Sequence, residues 1–161
     1  MSITLSNTFT DNLLGTGTQG VATQIGGGTL VLYSSGGSPP AGPNEVATGT
    51  VLATFTFSAA GSQGTPAAGS MTLSFAALTV VATGTGTADY FRVISSGSVA
   101  LIQGSVGTSA SDWNLSNTVI TSGDNVAITG TPTFSWVVSL ADPAGSPRGL
   151  AYPGAALAAA R

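Results

Sequence analysis

The ionic chemistry of this 161-residue chain rests on nine side chains. They are the carboxylates Asp11, Glu45, Asp89, Asp112, Asp124 and Asp142 and the guanidiniums Arg92, Arg148 and Arg161. Cys, His and Lys do not occur. Their absence removes the thiolate nucleophile, the disulfide framework and the thiolate zinc site. It also removes the imidazole that titrates near neutral pH and the amine of Schiff-base and P-loop chemistry. What remains is a pair of carboxylates acting as acid and base, the arrangement of glycosidases. Against that, Asp89, Asp112 and Asp124 fall at strand ends or turns, where Asp normally accepts hydrogen bonds from nearby backbone N–H groups. No serine lies in a G-x-S-x-G elbow, and no D-x-D-x-D loop offers oxygens to Ca²⁺. The chain is expected to be no enzyme, with no catalytic residue, no cofactor and no metal.

Three further features invite a chemical reading. Gly15, Gly17 and Gly20 match G-x-G-x-x-G, but a dinucleotide site needs a strand before them and a helix after them. It also needs an acid about 20 residues on, and here the next acid is Glu45. In a chain with 23 glycines the match is read as chance. Arg92, the single cation before residue 141, is expected to pair with a nearby acid such as Asp89 or to face solvent at an edge. The aromatic residues Phe55, Phe75, Tyr90, Phe91, Trp113, Phe134 and Trp136 are expected in a core, an exposed sugar-binding row being the alternative.

The elements that must hold these residues are strands. Gly, Ala and Thr occur 23 times each and Ser 20 times, together more than half of the residues. Charged residues make up only 6%, about a quarter of the usual share. A mean hydropathy of +0.40 excludes intrinsic disorder. Apolar, β-branched runs at 29–33, 50–57, 71–75, 90–106, 113–121, 126–129 and 133–140 alternate with Gly, Pro, Ser and Asn clusters. In 50–57 the alternation places Val51, Ala53, Phe55 and Phe57 on one face and Thr50, Leu52, Thr54 and Thr56 on the other. Within 90–106, Ser95-Ser96-Gly97-Ser98 reads as a short hairpin loop. Residues 34–47 (SSGGSPPAGPNEVA) form a loop whose prolines cannot donate to a ladder. Eight or nine strands at this spacing predict an all-β fold, an antiparallel β-sandwich of jelly-roll-like form with extended arms at both ends. The organisation follows: an N-terminal arm or leader at 1–28, a β-sandwich domain at 29–140, and a Pro/Ala-rich C-terminal arm at 141–161. The glycines from Gly15 on would break any helix longer than a short one over 8–14, and the leader reads as an arm or extended segment ending at the glycines 26–28.

A net charge of −3 with three scattered arginines excludes counterion-release binding to nucleic acid and attraction to an anionic membrane surface. No run approaches the roughly 20 apolar residues of a membrane span, and no signal-peptide pattern opens the chain. Lack of Cys fits synthesis in a reducing cytosol. Residues 1–140 carry −4 and the C-terminal arm +1, which fits an arm that docks on a neighbouring copy. A neutral surface of Thr, Ser, Gly and Ala lacks the repulsion that keeps soluble proteins apart, so much of it is expected to be covered. Apolar side chains in the arms are the candidate partner-binding residues: Ile3, Leu5 and Phe9, and Leu150, Tyr152, Pro153 and Leu157.

Three segments carry a resemblance. LVLYSSGGSPP (30–40), ATGTVLATFTF (47–57) and TGTADYFRVISSGSVALIQGSVGTSASDWNLSNTVITSGDNVAITG (85–130) resemble small virion proteins of tailed bacteriophages. The resemblance implies a non-enzymatic head-decoration (cement) role, on the outer surface of the phage head after synthesis in the host cytoplasm. It implies the major capsid protein and other copies of the chain as partners, and no catalytic residue to carry over. The family's leader reads as an amphipathic helix, which the glycines here interrupt. The alternative is a tail-fibre or spike β-domain that binds host carbohydrate.

Overall fold

A computed structural model of the chain describes residues 20–64, 70–129 and 132–135, together with the backbone of residues 4–5. The fold is mostly β, with almost no helix. Val21–Ile25 forms one helical turn (α1), and Ala60–Ser62 a single 3-10 turn against it. The main sheet has the order β1 (Thr4–Leu5), β8 (Ala100–Gly107), β7 (Tyr90–Ile94), β2 (Thr29–Ser34) and β3 (Thr50–Thr56). Its members pair antiparallel, except that β9 (Trp113–Asn114) lies parallel beside β8 at Val106 and Gly107. The helix reaches β2 through a tight corner. A side chain at Gly28 would collide with the Ile94 carbonyl, so only glycine fits there.

Three shorter ladders complete the architecture: β4 (Ser70–Thr72) with β12 (Thr133–Ser135), β5 (Thr79–Val81) with β11 (Asn125–Ala127), and β6 (Gly86–Thr87) with β10 (Val119–Ile120). They are segments of one antiparallel ribbon. The Leu73 N–H donates to Pro132 O, Ile128 N–H to Leu78 O, Ala82 N–H to Asp124 O and Ala88 N–H to Thr118 O, each at 2.8 Å. The three ladders thus follow one another from Ser70–Thr72 to Gly86–Thr87 along one side. They are interrupted at 74–76, where Phe75 bridges Phe57 and the Ser58 and Ala76 N–H groups donate to Ser74 O and Thr56 O, and at the turn 121–124.

Sheet and ribbon share one core. Leu30, Leu32, Phe55, Phe91, Val93 and Ile102 from the sheet meet Met71, Leu73, Ala82, Ile120, Val126 and Ile128 from the ribbon, and Ile25 of α1 joins them. Aromatic rings tie the two together: Phe75 stacks on Phe57 at 4.5 Å and meets Trp113 edge-on at 6.4 Å, and Trp113 in turn lies 5.8 Å from Phe91.

Two local expectations are corrected, and a third, the short hairpin, is met. In β3, Val51 is exposed and Leu52 fully buried, the reverse of simple alternation. A bulge is the cause: Leu32 pairs with Ala53 and Tyr33 with Val51, so Leu52 is the extra residue and turns inward. The expected strand 113–121 is two short strands, parallel β9 in the main sheet and antiparallel β10 in the ribbon, with buried Leu115 between them. The β7–β8 hairpin closes with three residues, Ser96, Gly97 and Ser98. The Ser98 N–H donates to Ser95 O, and Ser98 takes a left-handed φ of 63°.

Candidate functional site

Period-2 alternation places Tyr90 and Arg92 of β7 on the sheet face opposite Phe91 and Val93. Arg92 pairs across the ladders with Val31 of β2 and Gln103 of β8, which puts it on a strand flanked on both sides. It is 3% exposed and Gln103 0%. Neither an edge position nor an ion pair with Asp89 is realised. Asp89 lies just before β7, and its carboxylate is taken by the N–H groups of Ser35 and Gly37 instead.

The partners of Arg92 are neutral oxygens. Its Nε donates to Gln103 Oε1 at 2.8 Å, and Nη1 and Nη2 donate to the carbonyls of Glu45 (2.8 Å) and Gly42 (3.1 Å). Gln103 Nε2 donates to Pro40 O at 2.6 Å. The guanidinium also sits 5.9 Å from the Tyr90 ring, which stacks on Tyr33 at 4.8 Å. The Tyr90 hydroxyl donates to Thr48 O at 2.6 Å and accepts from the Thr48 N–H. At the other end of the loop, Asp89 accepts from the Ser35 N–H and hydroxyl and from the Gly37 N–H. Gly49, with φ +89° and a Cβ direction blocked by the Ser34 carbonyl, lets the chain re-enter β3.

The Pro/Gly loop between β2 and β3 is thus a strap, laid across one face of the sheet and fastened along its length. The physical logic is complementary. A loop containing Pro39, Pro40 and Pro43 lacks the N–H donors of a ladder strand, which leaves its carbonyls available, and a buried guanidinium needs acceptors. Burial raises the pKa of Tyr33 against the lowering effect of the Arg92 charge. It raises that of Tyr90 too, against the hydrogen bonds with Thr48 and the same charge. Alternation of Tyr90, Arg92, Gln103 and Ser105 with their neighbours along the hairpin marks this shared face in the sequence, but not the loop carbonyls that meet it.

The remaining described acids have structural tasks. Asp112 Oδ2 accepts from the Ser105 N–H and hydroxyl, both at 2.8 Å, and so folds the chain after β8 back beside it. Asp124 closes its own turn by accepting from the Thr121 N–H at 2.8 Å, the local bond expected of a turn Asp. Glu45 accepts from the Ala41 N–H. For Asp89 and Asp112 the donors are not in the adjoining turn but 52–54 and 7 residues away. Among the described residues no three acids come together. No helix among them is long and apolar enough to cross a membrane.

The described surface instead offers isolated apolar side chains. Val46 at the crest of the strap is 86% exposed, and Val81 and Val119 on the outside of the ribbon are 60% and 61% exposed. A cleft of about 180 Å³ lies between β9 and the ribbon, lined by Trp113, Asp112, Asn114 and Thr133 among others. Of the candidate partner residues, Leu5 pairs through its backbone with Ile102 at the outer side of β8. Ile3, Phe9, Leu150, Tyr152, Pro153 and Leu157 lie outside the described residues, as does the helix expected at 8–14.

A scan of family models, a search of curated proteins and a search of solved structures each give no match for this chain.

Proposed function

We propose that this chain is a non-enzymatic virion structural protein, a decoration (cement) protein that binds the major capsid protein on the outside of a tailed-phage head. The observation that carries the reading is the use of its charges. Each described carboxylate accepts a backbone N–H of its own chain, and the one described guanidinium is buried under the strap. Little ionic chemistry is left for a substrate. The outward features are valines and short polar side chains, which suit contact with another protein. The resemblance to small phage virion proteins falls on β2, the strap, β3 and the stretch from β6 to β11.

In this reading the sheet and the ribbon are the two layers of an antiparallel β-sandwich, with the ribbon folded over the sheet in jelly-roll fashion. The C-terminal segment 141–161 acts as an arm that reaches neighbouring capsid subunits and copies, while β1 and α1 of the N-terminal segment belong to the body. Each copy contributes modestly, because a shell repeats the contact and holds its sites at high effective concentration. Contacts between uncharged surfaces lose little strength in salt.

The test is co-sedimentation of the purified chain with expanded heads of its own phage. The chain is expected to pellet with them over the whole shell at about 1 M salt, where the Debye length is about 3 Å. Deletion of residues 141–161 is expected to weaken binding. Copies confined to the tail, or no binding to heads, would overturn the reading.

The cleft beside Trp113 favours one second reading, a carbohydrate-binding β-domain of a tail fibre or spike. The Trp113 ring is half-buried against Phe75 and Phe91, with Asp112 and Asn114 at the same cleft. In that case a glycan screen gives saccharide binding that Trp113→Ala abolishes.

A further inference from the structure

A groove of about 240 Å³ follows the second strand of the ribbon. Leu115, Ile120 and Val126 are its buried members, and Val119, Asp124 and Asn125 its exposed ones. All of its lining comes from residues 115–127 and none from the first ribbon strand. It therefore lies on the side of β11 that faces away from β5.

The backbone points the same way. Val126 pairs with Val80, and the Ala82–Asp124 and Ile128–Leu78 bonds flank that pair two residues to either side. In an antiparallel ladder bonded and non-bonded positions alternate. The N–H and C=O groups of Asn125 and Ala127 are therefore directed away from β5, and no described residue pairs with them. Nearby, donors on the same strand are closed locally: the Val119 N–H by Asn117 Oδ1 at 2.9 Å and the Thr121 N–H by Asp124 Oδ2. Among the described residues the unpaired positions of this second strand are those of β11, and by the same alternation Thr79 and Val81 of β5 present the opposite edge.

We propose that this groove and edge receive the C-terminal arm of a second copy of the chain, with residues 148–152 (RGLAY) added as a parallel strand along β11. Pro147 and Pro153 bound these residues, and neither can donate to a ladder, so the five between them form the arm's strand-competent window. Alternation sets Leu150 and Tyr152 on the side of Arg148. They lie along the groove floor, over the small exposed parts of Ile120 and Val126. Arg148 is the only charge in the window and Asp124 the only charge of the groove, and a parallel alignment brings them to the same end. Strand addition supplies backbone bonds while the groove selects side chains. The inference rests on the reading of this chain as one that works by contact with other proteins. It needs no head, so its failure on the isolated chain leaves head binding to be judged separately.

The experiment is sedimentation velocity on the full-length chain across a concentration series. Self-association is expected, with its dissociation constant raised at least about tenfold by Ala127→Pro and by Leu150→Asp. Proline at 127 removes an N–H that the β5 ladder does not use. Leu150→Asp lies in the segment 141–161, outside the strands described, and carries the test should Ala127→Pro fail to fold. A labelled peptide of residues 146–154 is expected to bind the Leu150→Asp chain and to lose that binding when Ala127→Pro is added. A full-length chain that stays monomeric overturns the proposal, as does association that neither substitution changes.

Discussion

The two faces of the main sheet are closed by different physics. Over Phe55, Phe91 and Val93 lies the ribbon, which contributes Met71, Ile120, Val126 and Ile128 to a core with no buried charge. Over Tyr33, Tyr90 and Arg92 lies the strap, which buries Pro40 and Pro43 and is otherwise held by hydrogen bonds to side chains of the sheet. Apolar packing is non-directional and tolerates the interruptions seen along the ribbon. Bonds from a guanidinium and a phenol are directional, and they fix a 15-residue connection that has no ladder of its own at a single height and register. The strap side therefore depends on a few atoms, whereas the ribbon side depends on area.

The comparison can be broken from either side. Phe55→Ala removes a fully buried ring under the ribbon and is expected to cost about 3–5 kcal/mol in urea unfolding. The strap should stay fastened in the folded protein, with unchanged protection of the Thr48 amide in hydrogen exchange. Arg92→Met keeps apolar bulk but strands the Gly42 and Glu45 carbonyls and Gln103 Oε1. Its expected cost is about 2–3 kcal/mol, reduced by relief of the buried charge. Here amide exchange across residues 41–48 should accelerate selectively, while the ribbon amides of Ala82 and Ile128 keep their protection. Uniform acceleration in both regions would mean that the strap has no closure of its own.

A pH titration sharpens the contrast further. The folded tyrosines hold their protons more tightly than unfolded ones, so the folded state binds more protons in the alkaline range. The stability this represents is complete below the ordinary tyrosine value near 10 and is lost as pH rises through the raised folded values. Thermal melts should show destabilisation setting in above about pH 10, and Tyr33→Phe should lessen it. A flat alkaline profile would contradict the burial of this pair. The smallest effect belongs to the outside of the ribbon. Val81→Asp and Val119→Asp touch no core and should change stability by no more than about 0.5 kcal/mol, measured by urea unfolding. In the proposed role they nonetheless weaken retention on heads at high salt, and unchanged retention would place the contact elsewhere.

Much of this contrast was legible in the residues. The all-β class followed from β-branched runs between Gly, Pro and Asn clusters, and β2, β3, β7 and β8 stand close to where those runs lie. The hairpin at Ser95–Ser98 was readable from its loop residues, and Asp124 as a turn acid from its neighbours. Arg92 was not. Its sequence neighbours, Phe91 and Val93, say that it lies in a strand, but the acceptors that make burial tolerable come from Gly42 and Glu45, 50 and 47 residues away. The pairing of the ribbon was equally hidden, although the runs at 71–75, 126–129 and 133–140 marked β4, β11 and β12. The stretch 83–87 (TGTGT) reads as loose chain, and Gly86–Thr87 becomes a strand only because Val119–Ile120 is held opposite. Leu52 escaped because a bulge is a property of two strands, not of one.

The sequence alone fixed what the protein is made to do without: with no thiol, imidazole or amine, and few carboxylates, reactive chemistry has almost nothing to work with. It also fixed the strand class, since period-2 patterns and turn residues act over a few positions. Tertiary structure alone decided which strands are neighbours, which side of β7 receives the strap, and which edge of β11 meets β5. Those outcomes depend on pairings across tens of residues, where a partner's identity, and not the local pattern, sets the hydrogen bonds and the burial.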